Sequence, residues 1–153
     1  MIKTEAIILK TADQNETGRF LTVYSEKLGK INIQAKGVKK VESKLRGHIE
    51  SISYAQLILI EGKNSLILKD AFLLNQFLNI KKDLEKIKTA KKIADLIDEA
   101  MAGEEKDEEV WKLILKTFEK LDTENVEINK FQEQLISLLG YDPEYMHAIE
   151  NLY

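Results

Sequence analysis

Two hydrophobic spacings divide the chain. Up to about residue 78 apolar side chains recur at every second position, and beyond it at every third or fourth. The first ten residues carry the run Ala6-Ile7-Ile8-Leu9, β-branched and too short for a helix, which predicts a strand. Arg19 to Ser25 alternates, with Phe20, Thr22 and Tyr24 on one face and Leu21 and Val23 on the other. A turn at Glu26-Lys-Leu-Gly29 leads into a third strand. Its Ile31, Ile33 and Ala35 oppose Lys30, Asn32, Gln34 and Lys36. Ile52 to Ile60 predicts a fourth strand, and Glu61-Gly-Lys-Asn64 a hairpin turn into a fifth, from Ser65 through Lys69 towards Leu74.

Five strands, with a long connection between the third and fourth, suit a closed barrel of the OB type, because closure removes exposed strand edges. An SH3-like barrel or an open meander would use the same strands. From Lys81 the stripe Leu84, Ile87, Ala90, Ala94, Ile97 and Met101 predicts an amphipathic helix. Gly103 ends it, and the acidic run Glu104 to Glu109 suits the start of the next. Trp111, Ile114, Phe118 and Leu121 form a second stripe. Phe131, Leu135, Leu138 and Leu139 form a third, closed by Gly140. Asp142-Pro143 is an N-cap and N1 pair for a short fourth helix. The fold class is therefore α+β: a five-stranded OB-type barrel over residues 1–78 and a helical domain over 79–153.

Composition fits a globular protein: 44% of the 153 residues are hydrophobic. No run is long and apolar enough to span a membrane, and the first residues lack a signal-peptide core, so a soluble cytoplasmic protein is expected. With no cysteine there is neither a disulfide nor a thiolate metal site. The net charge of −3 hides an asymmetry. Residues 1–80 hold 12 Lys+Arg against 8 Asp+Glu, and the remainder 11 against 18. One half is thus suited to phosphate and the other to something else, or to a solvated helical surface.

The positive charge gathers at Arg19, Lys30, Lys36, Lys39, Lys40, Lys44 and Arg46, a basic strand face running into a loop bounded by Gly37 and Gly47. Such a track can follow a polynucleotide backbone, giving sequence-indifferent binding that weakens steeply with salt. The same pattern describes a solvated edge strand whose lysines discourage aggregation. Phe20 and Tyr24 could stack on bases, although an aromatic pair at this spacing also suits a core. His48 stands where it could meet phosphate or simply lie on the surface. On the helices, Trp111 and Phe118 could anchor a partner's apolar tail, with Lys112 and Lys116 for its carboxylates. Their other reading is core. His48 and His147 sit in no nucleophile or metal motif, and the glycines are spaced as turn residues rather than as a phosphate loop. A catalytic site, a cofactor, a metal and a small-molecule substrate are accordingly not expected.

Several segments occur in the order found in the bacterial DNA repair protein RecO family. They are Thr4-Glu-Ala-Ile-Ile-Leu-Lys10, Glu16 through Ser25, Gly29-Lys-Ile31, Ala35-Lys-Gly37, Ser43-Lys-Leu-Arg-Gly47 and Leu138-Leu-Gly-Tyr-Asp-Pro143. The chain resembles that family along nearly its whole length, most densely in the first 50 residues. The resemblance implies an OB barrel followed by helices in a non-enzymatic recombination mediator that binds single- and double-stranded DNA and anneals complementary strands. It further implies RecA loading with RecR, and a helical part that receives the acidic, apolar C-terminal tail of single-stranded DNA-binding protein. Arg19, Lys36, Lys39, Lys40, Lys44 and Arg46 fall in the matching basic segments. Many members place a Cys-x-x-Cys pair after the Gly-Tyr-x-Pro turn to hold zinc; here Ala148 and Asn151 stand there, so no zinc is expected. The family also continues for further helices, so this resembles a reduced or truncated member. The other reading is a barrel-plus-helices adaptor for a protein partner, touching DNA only incidentally.

Overall fold

The computed structural model describes residues 1–13, 18–36, 48–101 and 105–140. The five strands are β1 (Ile2–Asp13), β2 (Arg19–Ser25), β3 (Gly29–Ala35), β4 (Ser53–Glu61) and β5 (Leu66–Asn75). They close in the order β1-β2-β3-β5-β4. β1 pairs antiparallel with β4 to complete the ring, and β3 meets β5 in a parallel seam of only two pairs, Ile33↔Leu66 and Gln34↔Ile67. The OB-type barrel expected from the alternation is therefore the one formed, and the open meander is excluded.

The strand pattern follows from burial on two sides. Ala6 and Ile8 of β1 point inward with Leu21, Val23, Ile31, Ile33, Leu57 and Leu59 to fill the barrel. Ile7 and Leu9, on the opposite face of β1, join a second core shared with the helices. A strand covered on both faces reads as an unbroken apolar run, which is why Ala6 to Leu9 does not alternate. The strand itself extends well beyond that run, with a register shift between Ile8 and Lys10. At the β2–β3 turn Gly29 takes a φ of +71°, and a Cβ there would collide with the Glu105 carbonyl. Only glycine meets both conditions.

Four helices follow among the described residues: α1 (Leu78–Lys81), α2 (Leu84–Ala100), α3 (Glu108–Thr123) and α4 (Ile128–Leu138). Asp83 caps α2 by accepting from the N–H groups of Glu85 and Lys86, and Asp107 caps α3 by accepting from Val110 N–H at 3.0 Å. Ile93, Ala94 and Ile97 of α2, Trp111, Ile114 and Phe118 of α3, and Phe131 and Leu135 of α4 are buried together. Leu84 and Leu138, which the periodicity places on the stripes, are 65% and 41% exposed. Gly140 follows α4 with a φ of +83°, the left-handed closure expected of it. The short helix expected at Asp142-Pro143 lies outside the described residues.

The one-turn α1 was not foreseen, because nothing local specifies it. Its second and third N–H groups, those of Asn79 and Ile80, donate to Asp122 Oδ1 of α3 at 3.0 and 3.1 Å. Its start is set by Phe77, which holds a φ of +51° while fully buried. Ile52 holds +57° at the same end of the β4–β5 ladder. Two bulky residues in the left-handed region carry strain that surrounding packing must outweigh.

Candidate nucleic-acid interface

The outer face of β2 and β3 is set by their register: Phe20 lies opposite Gln34, Thr22 opposite Asn32, and Tyr24 opposite Lys30. Leu21, Val23, Ile31 and Ile33 occupy the interior, so these six side chains must point outward. The helices cover one end of the face. There Tyr24 is fully buried and stacked on Trp111, with centroids 6.4 Å apart. At the other end Phe20 is 38% exposed. Between them the Thr22 hydroxyl donates to Asn32 Oδ1 at 3.0 Å. The result is an aromatic ring standing on a polar sheet surface, an arrangement on which a nucleobase can stack. Alternation gave Phe20 and Tyr24 one environment; the position of α3 gives them two.

The cations divide four ways. Lys36 is exposed directly after β3. Arg19 sits at the Phe20 end with its side chain only 16% exposed, Nε 3.5 Å from Asp13 and a guanidinium nitrogen 3.9 Å from Glu50. Lys39, Lys40, Lys44 and Arg46 lie outside the described residues.

Lys30 corrects the sequence reading. Its ammonium turns to α2, donating to the Asp98 carbonyl oxygen at 2.7 Å and to Asp98 Oδ1 at 3.2 Å. Asp98 lies in the last turn of α2, where carbonyls lack intrahelical partners, so a cation there satisfies one orphan acceptor and the helix dipole together. Lys10 of β1 joins the clamp, reaching Asp95 at 2.8 Å and Asp98 at 3.1 Å. Burial alone would push the Asp98 carboxyl up, but the hydrogen bonds and charges of Lys10 and Lys30 hold it below its ordinary value. The Lys10 ammonium is raised, chiefly by its bond to Asp95. Lys30 thus fastens a helix to the barrel and is withdrawn from the basic track.

On the helices, Trp111 and Phe118 are core residues, 5% and 0% exposed. They cannot serve as surface anchors for a tail. Lys112 and Lys116 are exposed on α3, and Lys112 lies 3.7 Å from both Glu108 and Glu109. Lys116 borders a groove between α3 and α4 that was not apparent from sequence. Leu113, Val126 and Phe131 form its apolar lining, and Lys120 and Lys130 join Lys116 on its rim. The i, i+4 spacing of Lys116 and Lys120 was the available signal. Among the described residues no group of three or more His, Asp or Glu side chains is placed to share a metal ion, and no helix is long and apolar enough to cross a membrane.

A closed five-stranded OB-type barrel with helices docked on one end of its β2–β3 face defines the class: an OB-fold protein with an appended helical layer. Residues 1–77 match the family model described as recombination protein O, N terminal. The chain belongs to the RecO family. It is similar to proteins named DNA repair protein RecO from several bacteria. The one from Roseiflexus sp. (strain RS-1) is 30% identical over 93% of this chain and 51% of its own length. The one from Thermoanaerobacter sp. (strain X514) is 29% identical over 97% and 62%. The one from Dehalococcoides mccartyi is 32% identical over 93% and 57%. The chain therefore spans between 51% and 62% of the length of these curated relatives.

Proposed function

We propose that this chain is a non-enzymatic recombination mediator that binds DNA, acting in the cytoplasm at the nucleoid. The open end of the β2–β3 face and the basic connection after it hold single- and double-stranded DNA by the backbone and bring complementary strands together. With RecR, the chain helps load RecA onto strands coated by single-stranded DNA-binding protein. The observation that carries this reading is Phe20, exposed opposite Gln34 on a polar barrel face, with Lys36 exposed just past the end of β3, in a chain whose curated relatives are named for DNA repair.

The test is fluorescence anisotropy with single- and double-stranded oligonucleotides across a salt series, paired with an annealing assay. Affinity should fall steeply between low and moderate salt, and complementary strands should anneal faster in the presence of the protein. Lys39→Glu with Lys40→Glu should weaken binding at least about tenfold. Unchanged low-salt affinity in that double variant would dispose of the reading. It would leave the adaptor, for which DNA contact is incidental.

The α3–α4 groove favours a second contact on the same protein. Apolar Leu113, Val126 and Phe131 between Lys116, Lys120 and Lys130 suit an acidic, apolar peptide such as the tail of single-stranded DNA-binding protein. Lys116→Glu with Lys120→Glu should abolish capture of a tail peptide and leave oligonucleotide affinity within about twofold. Equal loss of both would merge the two sites into one.

A further inference from the structure

The outer face of β2 and β3 holds one side-chain hydrogen bond whose direction matters. The Thr22 hydroxyl has a single hydrogen, and it is given to Asn32 Oδ1 at 3.0 Å. That bond holds the Asn32 carboxamide with its oxygen towards Thr22 and in use. The amide nitrogen, with two donor hydrogens, is left over, and it has no hydrogen-bond partner among the described residues. A neutral amide that usually offers both a donor and an acceptor is here a donor alone.

The strand register sets this donor beside the exposed ring. Phe20 lies opposite Gln34 and Thr22 opposite Asn32. Phe20 and Asn32 are therefore diagonal neighbours on one sheet face, about 7–8 Å apart, a span that a ring on one of them can cross. They are also the two most open of the six outward side chains. Tyr24 lies under Trp111, and Lys30 is tied to Asp98.

A base stacked on the Phe20 ring brings a polar edge towards Asn32. Thymine carries a carbonyl oxygen at each end of its pairing edge, so it meets a donor whichever way it lies. Cytosine carries an amino group in place of one of these oxygens, and two donors set against each other cannot bond.

We propose that Asn32 is a specificity-determining residue of the nucleic-acid interface. It gives a strand held chiefly by its backbone a preference for keto pyrimidines, thymine in DNA, over cytosine. This rests on the nucleic-acid reading above. Thr22 is the positioning residue: without its hydroxyl the carboxamide is free to turn over and present an acceptor instead.

The test compares oligo(dU) with oligo(dC) of equal length at low salt. Uracil and cytosine differ at the pairing edge and share one ring framework, so stacking and the thymine methyl nearly cancel. The ratio of the two affinities is the readout. Wild-type protein should favour oligo(dU) by about fivefold, the value of one hydrogen bond. Asn32→Asp replaces the donor with an acceptor; the added charge lowers both affinities, but the ratio should invert towards oligo(dC), whose amino group a carboxylate accepts. Thr22→Val should bring the two affinities within about twofold of each other. Both positions lie outside the two cores, and melting curves verify that each variant is folded.

Equal binding of both strands by the wild type would overturn the proposal while leaving the nucleic-acid reading intact. So would a preference that survives Asn32→Asp and Thr22→Val unchanged, which would place its origin in stacking or strand flexibility. A wild-type protein that binds neither strand would overturn both readings together.

Discussion

Tyr24 of β2 and Trp111 of α3 lie with their ring planes 12° apart and their centroids separated by 6.4 Å. Tyr54 of β4 also packs against the indole, at 6.1 Å and 56°. Trp111 therefore bridges two strands and a helix, and it is the chain's one tryptophan. Trp111→Ala should cost about 3–5 kcal/mol, the range for truncating a buried large aromatic. Urea unfolding followed by circular dichroism measures it; a cost under about 1 kcal/mol would mean that the stack contributes little.

The Tyr24 hydroxyl is buried without a hydrogen bond of ordinary geometry. Burial, helped by the charge of Asp107, pushes its phenol up to about 12. The folded value lies above the ordinary one of about 10, so the neutral phenol's contribution is complete below that pH and is lost as pH rises towards 12. Tyr24→Phe should flatten part of the alkaline decline. At neutral pH it should lie within about 1 kcal/mol of wild type or be more stable, since it deletes a poorly satisfied buried group. Tyr54 is raised as well, by burial and by its hydrogen bond to Glu5, so the flattening will be incomplete. Denaturation curves between neutral pH and pH 11 decide the matter, and an unaltered alkaline slope would count against it.

Asp98→Ala opens the clamp formed with Lys10 and Lys30. It should destabilise the protein by about 1–2 kcal/mol, because the partly buried Lys30 ammonium loses its carboxylate. The native carboxyl is held below its ordinary value, so this contribution is present above about pH 4 and is lost as the pH falls through the lowered value. The acid limb of the stability profile should therefore be shallower in the variant. Lys10 keeps Asp95 and Lys30 keeps the carbonyl of residue 98, but one negative charge is gone from beside Lys30, so low-salt DNA affinity should rise by about twofold. Weaker DNA binding would show that the clamp is needed to shape the surface.

Phe20→Ala removes the exposed ring while leaving both cores untouched. Single-strand affinity should fall by about 1–3 kcal/mol, the range for one base–aromatic stack. Duplex affinity should change far less, because paired bases are unavailable to the ring. Phe20→Trp should retain single-strand binding. Parallel titrations read the difference, and equal losses on both probes would place Phe20 outside the contact.

Alternation was enough to locate the strands whose two faces differ, as Leu21 and Val23 against Thr22 show. It carried no information about what covers the outer face. Phe20 and Tyr24 share a period, yet one is wet and the other lies under Trp111. Lys30 misled for the same reason, since its partner Asp98 comes from a helix far along the chain. The ends of α2 and α3 were legible because Asp83 and Asp107 act locally. α1 was not, because its N–H groups are satisfied by Asp122 from a distant helix. The groove beside Lys116 needed two helices to be set side by side before it existed.

The family match ends at residue 77, yet the barrel's outer wall is not finished there. Ile7, Leu9, Tyr24, Ile52 and Phe77 are dry only because α2, α3 and α4 lie over them. Severed at that boundary, the barrel would present a greasy flank, an invitation to self-association. The helices are therefore a lid that the first module cannot shed, and shuffling the barrel onto another protein would demand a replacement cover of the same shape.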